Sequence, residues 1–246
     1  MSLHDTTLRA PRKAPQMASQ AAIYATPIGA GESLAKALSA PRLRTGLYRR
    51  GAKRMLDTLA VLAALPVVLP LIVILALLVA RDGGVPFYRQ ARVGRAGRIY
   101  SMWKLRSMVV DADARLAAHL DANPAARAEW ESTQKLKCDP RITRFGRLIR
   151  KTSLDELPQL INVLTGDMSL VGPRPMMPEQ QAIYPGRAYY ALRPGITGIW
   201  QVSERNNSTF ADRARFDAAY ERDVSLGTDV KLLLATVHVV LRGTGY

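Results

Sequence analysis

Cysteine is almost absent from this chain: Cys138 is the one thiol in 246 residues, so no intrachain disulfide can form. Histidine is nearly as scarce, and His4, His119 and His238 make no His/Cys cluster at zinc spacing. Acidic residues are the third deficit. There are 20 Asp and Glu against 35 Lys and Arg, a formal net charge of +15. An excess of that size calls for a polyanionic partner, which can be nucleic acid, an anionic lipid surface or a phosphorylated substrate. What the chain does have is 48% apolar and 22% charged residues, which suffices for a core and excludes wholesale disorder. The length suits one domain with a tail.

Charge and polarity are missing altogether from residues 59–80, LAVLAALPVVLPLIVILALLVA. As a helix these 22 residues measure about 33 Å, long enough to cross a bilayer. A soluble core helix seldom runs so far without one polar side chain. A cleaved signal peptide is excluded by the distance from Met1 and by Arg81-Asp82 where a small-residue cleavage site would stand. Arg42, Arg44, Arg49, Arg50, Lys53 and Arg54 precede the run, and Arg81, Arg89, Arg92, Arg95 and Arg98 follow it. Positive flanks favour the cytoplasmic side, so a hairpin that enters and leaves by one face satisfies both. Pro66 and Pro70 supply the break, each removing a backbone donor. The expectation is a re-entrant, monotopic helix rather than a straight span.

Residues 1–45 are rich in Ala, Pro, Ser and Arg and read as a basic tail beside anionic lipid. Turn signals at Gly83-Gly84 and between Gly94 and Gly97 separate β-leaning runs at Phe87-Tyr88 and from Ile99 to Trp103, predicting a small hairpin. Residues 111–137 predict two surface helices, the second starting at Pro124. Near the C-terminus, Val230, Leu233, Leu234, Val237 and Leu241 fall at helical spacing behind Thr228 and Asp229 as caps.

The densest chemistry lies in residues 141–175, RITRFGRLIRKTSLDELPQLINVLTGDMSLVGPRP, where Arg141, Arg144, Arg147, Arg150 and Lys151 lead into the adjacent carboxylates Asp155 and Glu156. SLDE has the form of a capping box, but Pro158 would then be the fifth helical residue and clash with the carbonyl of Leu154. A helix starting near Pro158 leaves both acids just ahead of its N-terminus, where the helix dipole and guanidiniums favour their ionised forms. Ionised carboxylates suit attack on phosphorus, and Mg²⁺ is usually held by one or two carboxylates plus substrate phosphates. Arg174 stands between Pro173 and Pro175, which restrict the backbone on both sides and present a phosphate clamp or a rigid surface turn. In WKLRSM, Lys104 and Arg106 share one face of a strand and either meet the same phosphates or form a solvated edge. In RPGITGIWQVSERNN, a turn, a short strand and a polar loop, Trp200, Gln201 and Arg205 either serve a nucleotide base or pack.

Together these segments resemble the bacterial sugar transferase family, the monotopic phosphoglycosyl transferases. The likeness runs from about residue 50 to the C-terminus and rests on KRMLD at 53–57, the proline-containing apolar helix, VPFYRQARVG, WKLRSM, the 141–175 segment, RPGITGIWQVSER and the D-x-x-Y pattern at Asp217 and Tyr220. It implies a mainly helical α+β fold, with residues 46–246 forming the transferase domain, a re-entrant membrane helix over 55–80 and a catalytic domain on the cytoplasmic face of the inner membrane. It implies transfer of a hexose 1-phosphate, galactose or glucose by overall likeness, from a UDP-sugar to polyprenyl phosphate, as the first membrane step of exopolysaccharide synthesis. Asp155 then matches the nucleophile and Glu156 its dyad partner and Mg²⁺ ligand. Lys104, Arg150 and Arg174 match phosphate-binding positions, and Asp217 matches a further site acid. The chain looks like the short catalytic form with a basic tail, and Leu69-Pro70 stands where the family often has Ser-Pro. Oligomeric state stays open, a homodimer being one option.

Two readings from other classes compete. A nucleic-acid binder accounts for the charge but not for residues 59–80. A non-catalytic polybasic adaptor at the membrane surface accounts for both and makes Asp155 and Glu156 dispensable.

Overall fold

The computed structural model describes residues 46–133, 136–203 and 209–241. The expected tail, 1–45, and Arg205 lie outside them. The described chain is mainly helical, with a two-stranded antiparallel hairpin and a two-stranded parallel sheet.

A π-helical turn, Tyr48–Ala52, runs straight into helix α1, Lys53–Ala80. The expected break is not there: Pro66 and Pro70 both lie inside one uninterrupted helix. The packing supplies the reason. Asp57, Val61, Ile72, Leu75, Ala76 and Val79 are buried, and Ala64, Leu65 and Val68 are half-buried between them. That is one stripe at helical spacing, running past both prolines without changing face. Val61 packs with Tyr100, Met102, Val163 and Met168, while Leu75, Ala76 and Val79 pack with Leu105 and Ile149. The same domain therefore grips the helix before and after the prolines, which offsets the two backbone bonds they remove. The other faces of α1 are apolar and bare: Val67 is 75% exposed and Leu77 66%.

Polar bonds fix the start of α1. Lys53 Nζ lies 2.5 Å from Asp229 Oδ2, the Tyr48 hydroxyl donates to the same oxygen at 2.6 Å, and the Tyr220 hydroxyl donates to Oδ1 at 2.6 Å. Ser169 Oγ donates to Asp57 at 2.6 Å, and the Arg54 guanidinium caps the carbonyls of Val163 and Leu164.

The hairpin forms as expected, from β1 (Phe87–Val93) and β2 (Ile99–Leu105), with Arg92 opposite Tyr100 and Tyr88 opposite Lys104. Two helices follow, α2 (Ala112–Ala122) and α3 (Pro124–Thr133), the second opening on its proline. Helix α4 (Arg144–Lys151) is capped by Thr143, whose Oγ accepts from Gly146 N at 2.7 Å. A 3-10 turn, Leu154–Glu156, leads to α5 (Gln159–Thr165) and to β3 (Ser169–Val171). Next come the short helix α6 (Ala188–Ala191) and β4 (Gly195–Thr197), which pairs in parallel with β3. After β4 comes a buried helical turn, α7 (Ile199–Ser203), with Trp200 and Gln201 among its buried side chains, while residues 204–207 of the expected polar loop lie outside the described residues. Helices α8 (Arg213–Asp223) and α9 (Leu226–Leu241) complete the fold.

Helix α9 starts earlier than its caps were placed. Thr228 and Asp229 are inside it, and Ser225 Oγ accepts from Thr228 N at 3.2 Å. Its regular apolar spacing marks the face turned outward as much as the core: Leu232 is buried, whereas Val230, Leu234 and Val237 are exposed.

Candidate functional site

Asp155 and Glu156 stand on the 3-10 turn between α4 and α5. Ser153 enters that turn in the left-handed region, with φ +56°, and its side chain makes no cap bond, so SLDE is not a capping box. The helix begins at Gln159, directly after Pro158, as the proline requires. Asp155 is 8% exposed. Burial pushes its carboxyl up from the ordinary carboxylate range, and the neighbouring Glu156 adds to this, while Lys104 and Arg150 pull it down. The net direction is upward. The expected pull of cations toward the ionised form is present, from Lys104 and Arg150, but desolvation, which sequence reasoning left out, sets the net direction.

Lys104 is brought to the dyad by β2. Its Nζ lies 2.9 Å from Glu156 Oε1 and 3.8 Å from Asp155 Oδ2. Burial works against its charge, but the two carboxylates outweigh that and hold the ammonium above the usual lysine range. Asn162 on α5, 2% exposed, fixes the strand in place. Its Oδ1 accepts from Trp103 N at 3.0 Å and its Nδ2 donates to Ser101 O at 2.8 Å, so one side chain takes the role of a neighbouring strand. Arg150 Nε donates to Ser107 Oγ at 2.7 Å, and its charge acts on Asp155.

Arg106 goes elsewhere. It lies one residue past the end of β2, and its guanidinium grips Asp82 at 2.5 and 2.8 Å, with further bonds to the carbonyls of Val79, Val85 and Met108. The structure thus makes it a tie between the end of α1 and the hairpin, not a companion of Lys104. Sequence reasoning placed it by strand alternation, and the strand ends before reaching it.

Arg174 is presented by a loop that closes on three glycines. A Cβ on Gly172 would strike Arg193 O, one on Gly195 would strike Gly172 N, and one on Gly198 would strike Gly172 O. The Arg174 guanidinium lies 5.3 Å from the Trp200 ring centroid, and Arg213 faces the same ring at 4.4 Å. Asp217 is 6% exposed and accepts from the Tyr184 hydroxyl at 2.7 Å. Burial pushes its carboxyl up to about 7 against the pull of that bond and of Arg213. Sequence reasoning did not place Arg213 beside Trp200 or Tyr184 beside Asp217. A repeated arginine four residues before Asp217, one helical turn away, was the available signal for Arg213.

Beside the dyad turn and the arginine loop lies a cavity of about 230 Å³. Glu156 and Arg174 line it together with Gln201, and much of the remaining wall is apolar: Leu157, Leu160, Ile196, Val202 and Val240. Among the described residues no group of three or more His, Cys, Asp or Glu converges as a ready-made metal site. The arrangement offers two adjacent carboxylates for phosphorus or a cation, guanidiniums for phosphate oxygens, and apolar walls for hydrocarbon.

The sequence of the bacterial sugar transferase family matches residues 48–243. A UDP-galactose-lipid carrier transferase of Erwinia amylovora is 48% identical over 80% of this chain and 42% of its own length. An undecaprenyl-phosphate galactose phosphotransferase of Salmonella typhimurium is 46% identical over 83% of this chain and 44% of its own. The chain thus spans less than half of these two relatives. The exopolysaccharide production protein ExoY of Rhizobium meliloti is 42% identical over 79% of this chain and 87% of its own length. A match over this much of the chain, through the dyad turn, the arginine loop and the apolar helix alike, means that the protein belongs to the bacterial sugar transferase family.

Proposed function

We propose that this chain transfers a hexose 1-phosphate from a UDP-sugar to polyprenyl phosphate, with galactose and glucose as the first donors to test. The observation that carries the reading is the Asp155-Glu156 dyad, with Asp155 buried, Lys104 against both acids, and Glu156 lining a cavity that also takes in Arg174 and is apolar along much of its length. The names of the relatives point to the same donor and acceptor classes.

In the first step an Asp155 carboxylate oxygen bonds to the β-phosphorus, the bridging oxygen bond breaks, and its electron pair leaves on UMP. In the second a phosphate oxygen of polyprenyl phosphate bonds to that phosphorus, and the pair of the broken Asp155 bond returns to the carboxylate. Lys104 and Arg150 favour the ionised nucleophile, since each lowers the proton affinity of Asp155. Arg174 neutralises phosphate charge, and the apolar wall suits the first isoprene units. The dyad is an oxygen donor set of the kind that holds Mg²⁺ with substrate phosphates, Glu156 being the ligand and Asp155 its neighbour. When bound, Mg²⁺ supplies positive charge to the transferring phosphoryl oxygens.

Both ends of α1 are tied to one domain, by Lys53 to Asp229 and by Arg106 to Val79 O, and its bare faces are apolar. That supports a monotopic helix held along the domain at the cytoplasmic face, over a bitopic span. The positive flanks agree.

The test is UMP release by the detergent-purified chain with Mg²⁺ across a panel of UDP-sugars, with and without polyprenyl phosphate, beside Asp155→Asn. Acceptor-dependent UMP from one donor, abolished in the variant, is the expected result. No UMP from any donor, in protein shown to be folded, would replace the reading with the adaptor.

A further inference from the structure

Buried polar atoms without partners are rare in folded proteins, and each asks for an explanation such as a missing ligand. Among the described residues the unpartnered buried atoms are Arg92 Nε, Tyr100 OH, Arg213 Nε and both ends of the Gln201 amide. They are not scattered. Arg174 and Arg213 face the same Trp200 ring at 5.3 and 4.4 Å, and Val93, next to Arg92, donates its amide to Met176 O, two residues past Arg174, at 3.0 Å. The charge of Arg174 acts on both Arg92 and Arg213, and that of Arg92 on Arg213. Tyr100 is the cross-strand partner of Arg92, and Gln201 shares the cavity wall with Arg174 and Glu156. Arg92 is 9% exposed and Gln201 8%, so water does not readily supply what is lacking.

Neighbouring guanidiniums repel one another, and burial adds to the cost. Burial, together with Arg174, pulls Arg213 down to about 10, and burial with Arg174 also lowers Arg92. Asp217 opposes Arg213, which leaves an excess of two positive charges even with that acid ionised. A dianion with several acceptor oxygens removes the repulsion and satisfies the orphaned donors together, and phosphate is the anion whose geometry arginine matches best.

We infer that Arg92, Arg213 and Gln201 join Arg174 in a subsite for a phosphate monoester dianion, used in turn by the departing nucleoside monophosphate and the entering polyprenyl phosphate. The inference rests on the transfer reading for its second half. In-line displacement sends UMP away on the face of the phosphorus opposite Asp155, and the acceptor must attack the Asp155 bond from that same face. Both groups are phosphate monoesters, so one set of guanidiniums serves both steps without rearrangement. In the first step it stabilises charge that develops on UMP as the bridging bond breaks. In the second it holds the polyprenyl phosphate with an oxygen toward the phosphorus and its chain toward the apolar wall.

The test is equilibrium binding of UMP to the detergent-purified full chain by calorimetry, with uridine and inorganic phosphate as further probes and melting temperature as the folding control. Arg92→Gln and Arg213→Gln are each expected to weaken UMP about tenfold or more, the usual worth of one charged hydrogen bond. Uridine should bind far more weakly than UMP, inorganic phosphate should compete with UMP, and polyprenyl phosphate should displace it. Should either glutamine variant fail to fold, Arg213→Lys and Gln201→Met replace it, with several-fold weaker UMP binding expected. Unchanged UMP affinity in folded variants, or uridine binding as tightly as UMP, would overturn the subsite. Failure of polyprenyl phosphate to displace UMP would overturn its shared use. A chain that binds UMP through these arginines yet releases none from any UDP-sugar would overturn the transfer reading and leave the UMP subsite standing.

Discussion

Lys104 is the residue on which the proposed chemistry of the dyad turns, because it is salt-bridged to both carboxylates. Its charge lowers the proton affinity of Asp155, so Lys104→Gln should move the acid limb of the rate profile to higher pH and reduce kcat by about a hundredfold. An unshifted acid limb, measured as kcat/KM against pH, would separate Lys104 from the nucleophile. Asp217 gives a second test by linkage. Its folded carboxyl stands at about 7 against an ordinary 3.8, so between those values the native chain holds a proton that the unfolded chain has released. Its contribution is therefore fully present in acid and is lost as pH rises from about 4 to about 7. Wild type minus Asp217→Asn, by denaturant unfolding at each pH, should fall over that window and level above it, with Tyr184, Tyr189 and Arg213 present in both. At this scale the dyad was legible because its two acids are adjacent and a proline excludes the capping alternative. Arg92 and Arg213 were not, since residues 174, 92 and 213 meet only through the fold.

At the scale of elements, Asn162 joins α5 to β2 by two bonds to backbone groups that no strand covers. Asn162→Ala should cost about 2 kcal/mol or more by leaving the Trp103 amide and the Ser101 carbonyl unpaired. It should also lower kcat, because Lys104 follows Trp103 directly. Thermal melting and turnover on the same preparation check both, and a variant as stable and active as wild type would remove the positioning role. The hairpin and the helix pair 112–133 were legible from turn residues and from Pro124. The sheet of β3 and β4 was not: strands of three residues carry too little alternation to read, and the glycines that bring them together looked like loop glycines. Pro66 and Pro70 read as a break because local propensity cannot see the domain that packs on the helix from both sides of them.

The whole molecule is organised around α1. Because residues 59–80 are apolar all round, the sequence reads as a helix long enough to cross a bilayer but does not tell which stripe the protein keeps. The structure separates the two faces, and substitutions should separate them as well. Val67→Asp, on a bare face, should weaken membrane association in fractionation while leaving the melting temperature in detergent nearly unchanged. Val61→Asp, at 1% exposure against Met102 and Val163, should instead unfold the domain. Equal behaviour of the two variants would mean that the faces are not distinct. The +15 charge fits the proposed partners, since lipid surface, nucleotide sugar and polyprenyl phosphate are all anionic.

The central claim is that Asp155 carries the sugar phosphate between donor and acceptor. The most direct measurement is UMP released in the first turnover without acceptor, paired with intact and peptide mass of the chain. The account expects about one UMP per active chain, a mass gain of one hexose phosphate on Asp155, and loss of that mass when polyprenyl phosphate is added. Acceptor-dependent turnover without any burst or mass gain, or with activity retained in Asp155→Asn, would contradict it.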